Sequence, residues 1–263
     1  MGVDETAAAL RFGGRQKAKG TRPGRFLWLG SDAAFELTFW CGTCPVLFQR
    51  LEGATSTLSI AELEDRLRRG LSGIDCDVLA AFAGLLPAAA YMPMLLGVTP
   101  RLVTPVAEDD YFAHEQVTTW GLDDFWGLPE NPRTPYYRTF ETPVTASAHL
   151  YEFVVPMVPP TWNDRARVQQ YAQALETSSL PTAVAVSTLD ISQPALDDQS
   201  SDYYEHWALI HFLLDGHHKL EAAAATGRSL QLLTLVAIDA SLAKEADVLR
   251  LPAIRAQAVR QRP

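Results

Sequence analysis

Between Trp207 and Ile238 the chain reads strand, turn, helix, strand with little between the parts. Residues 207–214 form a nearly unbroken apolar run with the look of a buried strand. Asp215-Gly216 then opens directly onto the alanine-rich stretch 217–226, which Gly227 closes ahead of a second strand at 230–238. A helix that begins straight off a strand aims its first unpaired N–H groups and the positive end of its dipole at one point, which makes an anion site. Gly216 suits a turn that needs a positive φ. Helix N-termini favour acidic side chains, yet His217, His218 and Lys219 fill this first turn. Such a placement makes sense where an anion binds and is otherwise mildly destabilising.

The 263-residue chain has a net charge of −9 and no basic stripe, so nucleic acid is an unexpected partner. Hydrophobic residues at 48% and charged residues at 20% are an ordinary globular balance with ample core. No apolar run approaches the ~20 residues of a membrane-spanning helix. The polar, basic start lacks the apolar core of a secretory signal. Three cysteines make no disulfide framework, so a reducing cytoplasm is the simplest location.

Residues 1–24 show no apolar periodicity and predict a disordered basic arm. Phe26–Leu29 and Phe35–Trp40 predict two strands, and Val46–Leu51 a short helical piece. Ser59-Ile60-Ala61-Glu62 is a capping box for a helix that runs to Arg69 and Gly70. Helical text at Val78–Leu86 and strand-like text at 92–106 follow. Residues 107–143, rich in acidic, aromatic and proline residues, predict a long packed loop region. Leu150–Val155 reads as a strand, Trp162–Thr177 as a helix capped at Thr161 or Asn163, and Ala183–Leu189 as a strand. A final helix starts at Ser241.

Asp215-Gly216-His217-His218-Lys219-Leu220-Glu221-Ala222-Ala223, with Gly227 and a strand after it, resembles the nucleotide-binding signature of the ParB/sulfiredoxin superfamily. That signature is Gly-x-x-Arg-x-x-Ala after a strand, with Asp-Gly-His-x-Arg in several members. Ala183–Ile191 with Gln193-Pro194 is similar to the element that opens its core, and the resemblance spans residues 180–240. It implies an α+β fold, with a ParB/sulfiredoxin-like core at 179–263 and an N-terminal α+β elaboration at 25–178.

The superfamily includes a nucleoside-triphosphate-binding partition protein, an ATP-dependent sulfinic-acid reductase and a kinase of free serine. The resemblance therefore implies ATP or another nucleotide with Mg²⁺. Asp215, Gly216 and the amides of His217 and His218 would meet the phosphates. Lys219, standing where arginine is usual, would supply countercharge as a point charge without arginine's planar fork. Histidine occupies the place of the sulfiredoxin cysteine, so sulfinic-acid reduction is not expected. For phosphoryl transfer to a small hydroxyl-bearing metabolite, Glu205 and Asp202 are the nearest candidate bases, and Asp190 is another. Each reads equally as a solvated acid.

Cys41-Gly42-Thr43-Cys44 admits three readings: a redox pair, half of a zinc site completed by Cys76 with His114 or His149, and two buried thiols. His206 and His211, five residues apart on one strand, point to opposite faces, and His211 shares the face of Asp215. Arginines and aromatics at 120–138 are a further candidate for lining a substrate pocket. The leading expectation is thus a nucleotide-binding protein, with ATP-dependent phosphoryl transfer as its concrete form. The alternatives are a non-catalytic nucleotide-sensing or interaction protein and a thiol or zinc protein.

Overall fold

The computed structural model describes residues 8–14, 24–37, 48–103, 110, 134–176, 180–192 and 205–261. It has both helices and sheets, an α+β protein. A small antiparallel sheet holds β1 (Leu10–Gly14), β2 (Arg25–Leu29), β3 (Asp32–Leu37) and β4 (Phe48–Arg50) in that order. Two expectations change here. Leu10–Gly14 falls in the stretch expected to be a disordered arm, and Phe48–Arg50 in the stretch expected to be helical. In both, a single large side chain anchors a short strand: Leu10 and Phe48 are fully buried, and Phe48 packs on Tyr136 and Phe153. One anchor in so short a stretch leaves no periodicity to read.

The main sheet comprises β5 (Tyr91–Val98), β6 (Arg101–Val103), β7 (Tyr136–Thr145), β8 (Ala148–Pro156), β9 (Thr182–Ser192), β10 (Glu205–Asp215) and β11 (Leu230–Ala237). Its order is β5-β11-β9-β10-β8-β7-β6. β10 runs parallel to β8 and antiparallel to β9, while β11 runs parallel to β9. Strands from both sides of residue 178 therefore share one sheet. β7 begins inside the segment expected to be loop, because Tyr136 and Tyr137 alternate between its two buried faces.

One face of the main sheet carries α3 (Arg165–Glu176), α4 (His217–Thr226) and α5 (Glu245–Gln261). The small sheet, α1 (Glu64–Arg69) and α2 (Cys76–Ala83) cover the other. Along β10, Ala208, Ile210, Phe212 and Leu214 face the small sheet, while Leu209 and Leu213 face the helices. Burial on both faces is why this strand reads as an unbroken apolar run. No helix among the described residues is long and apolar enough to cross a membrane.

Two charged contacts sit within the packed layers. Arg25 on β2 donates to both carboxylate oxygens of Asp190 on β9, at 3.0 and 3.1 Å. Under α5, Arg255 pairs with the fully buried Glu152, beside a hydrogen-bonded group of Ser187, His211 and Thr234.

Candidate functional site

β10 ends at Asp215, and Gly216 turns the chain into α4 with φ +98°, ψ 23°. A Cβ there would lie 2.7 Å from the Cβ of Ala183 on β9. Only glycine lets the helix start this close to the neighbouring strand. No side chain caps α4, and Leu220 N–H to Gly216 O, at 2.8 Å, is the bond that closes its first turn. The amides of residues 217–219 precede that bond.

The turn floors a cleft of about 260 Å³ whose walls include Thr57, Ser59, Glu64, Arg167 and Tyr171. Leu58 N–H bonds the carbonyl of Leu214, which brings residues 57–61 against the end of β10. Ser59 does not cap the helix that follows it: Ile60 holds the N-cap position with no side-chain bond, and Ser59 lines the cleft with Asp215. Nor do Thr161 or Asn163 cap α3. Asp164 does, accepting from the amides of Ala166 at 2.8 Å and Arg167 at 3.2 Å. Arg167 then reaches across to Glu64.

The two histidines of the turn tie neighbouring elements together. Met157 N–H, just past β8, donates to His217 Nε2 at 3.1 Å, and Asp164 N–H donates to His218 Nε2 at 3.1 Å. A backbone amide can only donate, so both Nε2 atoms are unprotonated and each neutral ring carries its proton on Nδ1. His217 is nearly buried, which pushes its pKa down to about 3. Its Nδ1 has no hydrogen-bond partner among the described residues.

Lys219 is only 3% exposed, and its ammonium donates to the Thr182 carbonyl and to Asp215 Oδ2, each at 2.9 Å. Burial alone would raise the Asp215 pKa, but Lys219 and the Ser59 hydroxyl hold it below the usual carboxylate value. The lysine charge is thus engaged by Asp215 rather than held free for a ligand.

Asp215, Gly216, His217, His218 and Lys219 therefore meet at one cleft. Glu205 does not join them. It starts β10 opposite Ala148, and its carboxylate accepts from the Trp207 indole at 3.1 Å. It stands ten residue steps along the strand from Asp215, about 33 Å at the usual rise. An extended strand carries its ends apart, so Glu205 is corrected as the base for this turn. Asp190 belongs to the Arg25 pair, and His211 bonds Ser187 and Thr234 rather than reaching the turn. His206 points to the opposite face, edge-on to Tyr151.

Asp202, Cys41, Cys44 and His114 lie outside the described residues. Among the described residues no group of three or more His, Cys, Asp or Glu is placed to hold a metal. A hard cation wants free carboxylate oxygens. Asp215 is bound to Lys219 and Glu64 to Arg167, so these residues do not fit a protein-held Mg²⁺. Thr57, Ser59, Glu64, Arg167 and Tyr171 were not among the expected site residues. Their local text is ordinary, and only the packing of distant segments brings them here. Comparison with protein-family models, curated proteins and solved structures finds no match for this chain.

Proposed function

We propose that this chain is a nucleotide-binding protein that holds ligand phosphate at the head of α4. The observation that carries this reading is the uncapped first turn of α4, opened by Gly216, flooring a cleft with Arg167 on its wall. Amides at such a turn need no deformation to meet an oxyanion. The resemblance to the ParB/sulfiredoxin superfamily supports the same reading and rests on the same residues.

Binding without transfer is the form the geometry favours. A phosphotransferase needs a carboxylate or comparable base near the acceptor hydroxyl. The carboxylates lining the cleft, Asp215 and Glu64, are each ion-paired. Titration calorimetry with ATP, ADP, AMP and CTP, with and without Mg²⁺, tests the reading, and saturable binding of at least one nucleotide is expected. Absence of binding by all four overturns it. Nucleotide turnover with pools of hydroxy acids and amino acids would restore the transferase form.

A further inference from the structure

We propose that the cleft takes a single phosphoryl group, the terminal phosphate of a phosphomonoester. It accepts from the Nδ1–H of His217 and the first amides of α4, and it draws Arg167 away from Glu64. This rests on the reading of the cleft as a phosphate site and narrows the ligand class.

The histidine carries the first part of the argument. The Met157 amide occupies Nε2 and forces the proton onto Nδ1, so His217 presents a fixed donor whether or not ligand is present. The residue lines the cleft, is 3% exposed, and its Nδ1–H has no acceptor among the described residues. A buried donor without an acceptor is costly, and because this nitrogen is sealed from solvent, a ligand oxygen removes that cost only by displacing the atoms that cover it.

Charge decides how many phosphates fit. Glu64 and Asp215 cancel Arg167 and Lys219, leaving about +0.5 from the end of α4. The long anionic tail of a nucleoside triphosphate finds no matching countercharge, and no free carboxylate fits Mg²⁺. A single phosphoryl group carries about −1.5 to −2. It needs one more cation, which Arg167 supplies when Glu64 swings out. Glu64 is 54% exposed, and such surface pairs exchange readily.

Size agrees. At about 260 Å³ the cleft falls just below the ~300–1,000 Å³ of sites that enclose whole ligands. It suits a phosphate and its nearest atoms. A second depression of about 250 Å³ shares Glu64, Arg167 and Tyr171 and continues past them to Gln170 and to Arg68, which is paired with Asp65, leaving room for the rest of an ester.

The test is calorimetry with inorganic phosphate, AMP and ATP, the last with and without Mg²⁺, on the wild type, Glu64→Gln and Arg167→Gln. AMP is expected to bind about tenfold or more tighter than ATP, with inorganic phosphate weaker than AMP because it leaves the second depression empty. Glu64→Gln tightens AMP severalfold by removing the competitor for Arg167, and Arg167→Gln weakens it about tenfold. Both positions are exposed, so the fold survives either change. Long-range ¹H–¹⁵N spectra of the histidines should show a protonated Nδ1 on His217 that shifts when phosphate is added.

ATP binding as tightly as AMP overturns this inference and leaves the nucleotide reading standing. Phosphate binding with no nucleotide binding sinks the nucleotide reading but supports the single-phosphoryl site. Unchanged AMP affinity in Glu64→Gln, or a His217 signal unmoved by phosphate, overturns the inference.

Discussion

A Cβ built on Gly216 would stand 2.7 Å from the Cβ of Ala183 and 2.9 Å from its Cα, closer than side-chain carbons approach one another. The turn is thus constrained twice, by a left-handed backbone and by contact with β9. Gly216→Ala should cost about 2–4 kcal/mol, combining αL strain with displacement of a packed strand. Gly227 also has a positive φ, +62°, but a Cβ there meets nothing within 4 Å. Gly227→Ala should cost only about 1 kcal/mol. Urea unfolding of the two variants measures the difference, and equal midpoints would disprove the close approach at Gly216.

Arg255 is the cationic partner of a carboxylate, Glu152, that has no contact with solvent. Arg255→Met should destabilise by about 3–5 kcal/mol at neutral pH, because an uncompensated buried charge remains. Adding Glu152→Gln should recover much of that loss. Burial pushes the Glu152 pKa up, but Arg255, with His211 and Thr139, brings it from 4.5 down to about 2. A depressed acid contributes stability that is complete above 4.5 and disappears as pH falls towards 2. Unfolding midpoints across that interval should fall less steeply in Glu152→Gln than in the wild type.

The histidines act in a higher window. Burial lowers the His217 pKa to about 3 and the His206 pKa to about 4, against an ordinary value of 6.5. In both cases the unfolded chain takes up a proton first, so stability is complete above 6.5 and is lost as pH falls towards these lower values. Their ring C–H resonances should stay flat from pH 8 to about 5. Titration of either ring near its ordinary value would contradict the packing described.

Arg25 and Asp190 join the small sheet to the main sheet through two hydrogen bonds, with Leu242 N–H donating to the same carboxylate at 3.1 Å. Asp190→Ala should cost about 3–5 kcal/mol, since a nearly buried guanidinium loses its countercharge. The combined Arg25→Met, Asp190→Leu variant should be markedly more stable than Asp190→Ala alone. Thermal unfolding of the three proteins provides the comparison.

Glu205 lies at the far end of β10 from the cleft. Glu205→Gln should leave nucleotide affinity unchanged within about twofold by calorimetry. A large loss would place the ligand elsewhere.

The strand–turn–helix–strand of residues 205–237 was legible because each part has a strong local cause: an apolar run, an Asp-Gly turn and alanines closed by glycine. β1, β4 and β7 were not, because each depends on partners distant in sequence. Leu10 N–H bonds the Leu85 carbonyl, Phe48 needs Tyr136, and β7 needs β8. Glu205 stands apart from the cleft for a related reason: it is near Asp215 along the chain, but the extended strand between them holds the two at opposite ends.

Sequence alone determined the local part of the site: a strand ending in Asp215, a glycine free to adopt positive φ, and a helix whose first amides point outward. These follow from backbone sterics and helix geometry over a dozen residues. Tertiary structure decided what surrounds those amides. Sheet order set β9 against Gly216, brought the Thr182 carbonyl to Lys219, and gave His217 Nε2 to Met157. Packing of the 57–61 segment and α3 then placed Ser59, Glu64 and Arg167 on the walls. Such neighbours depend on contacts between segments far apart in the chain, as where Leu58 N–H meets the Leu214 carbonyl, and no local pattern encodes those contacts.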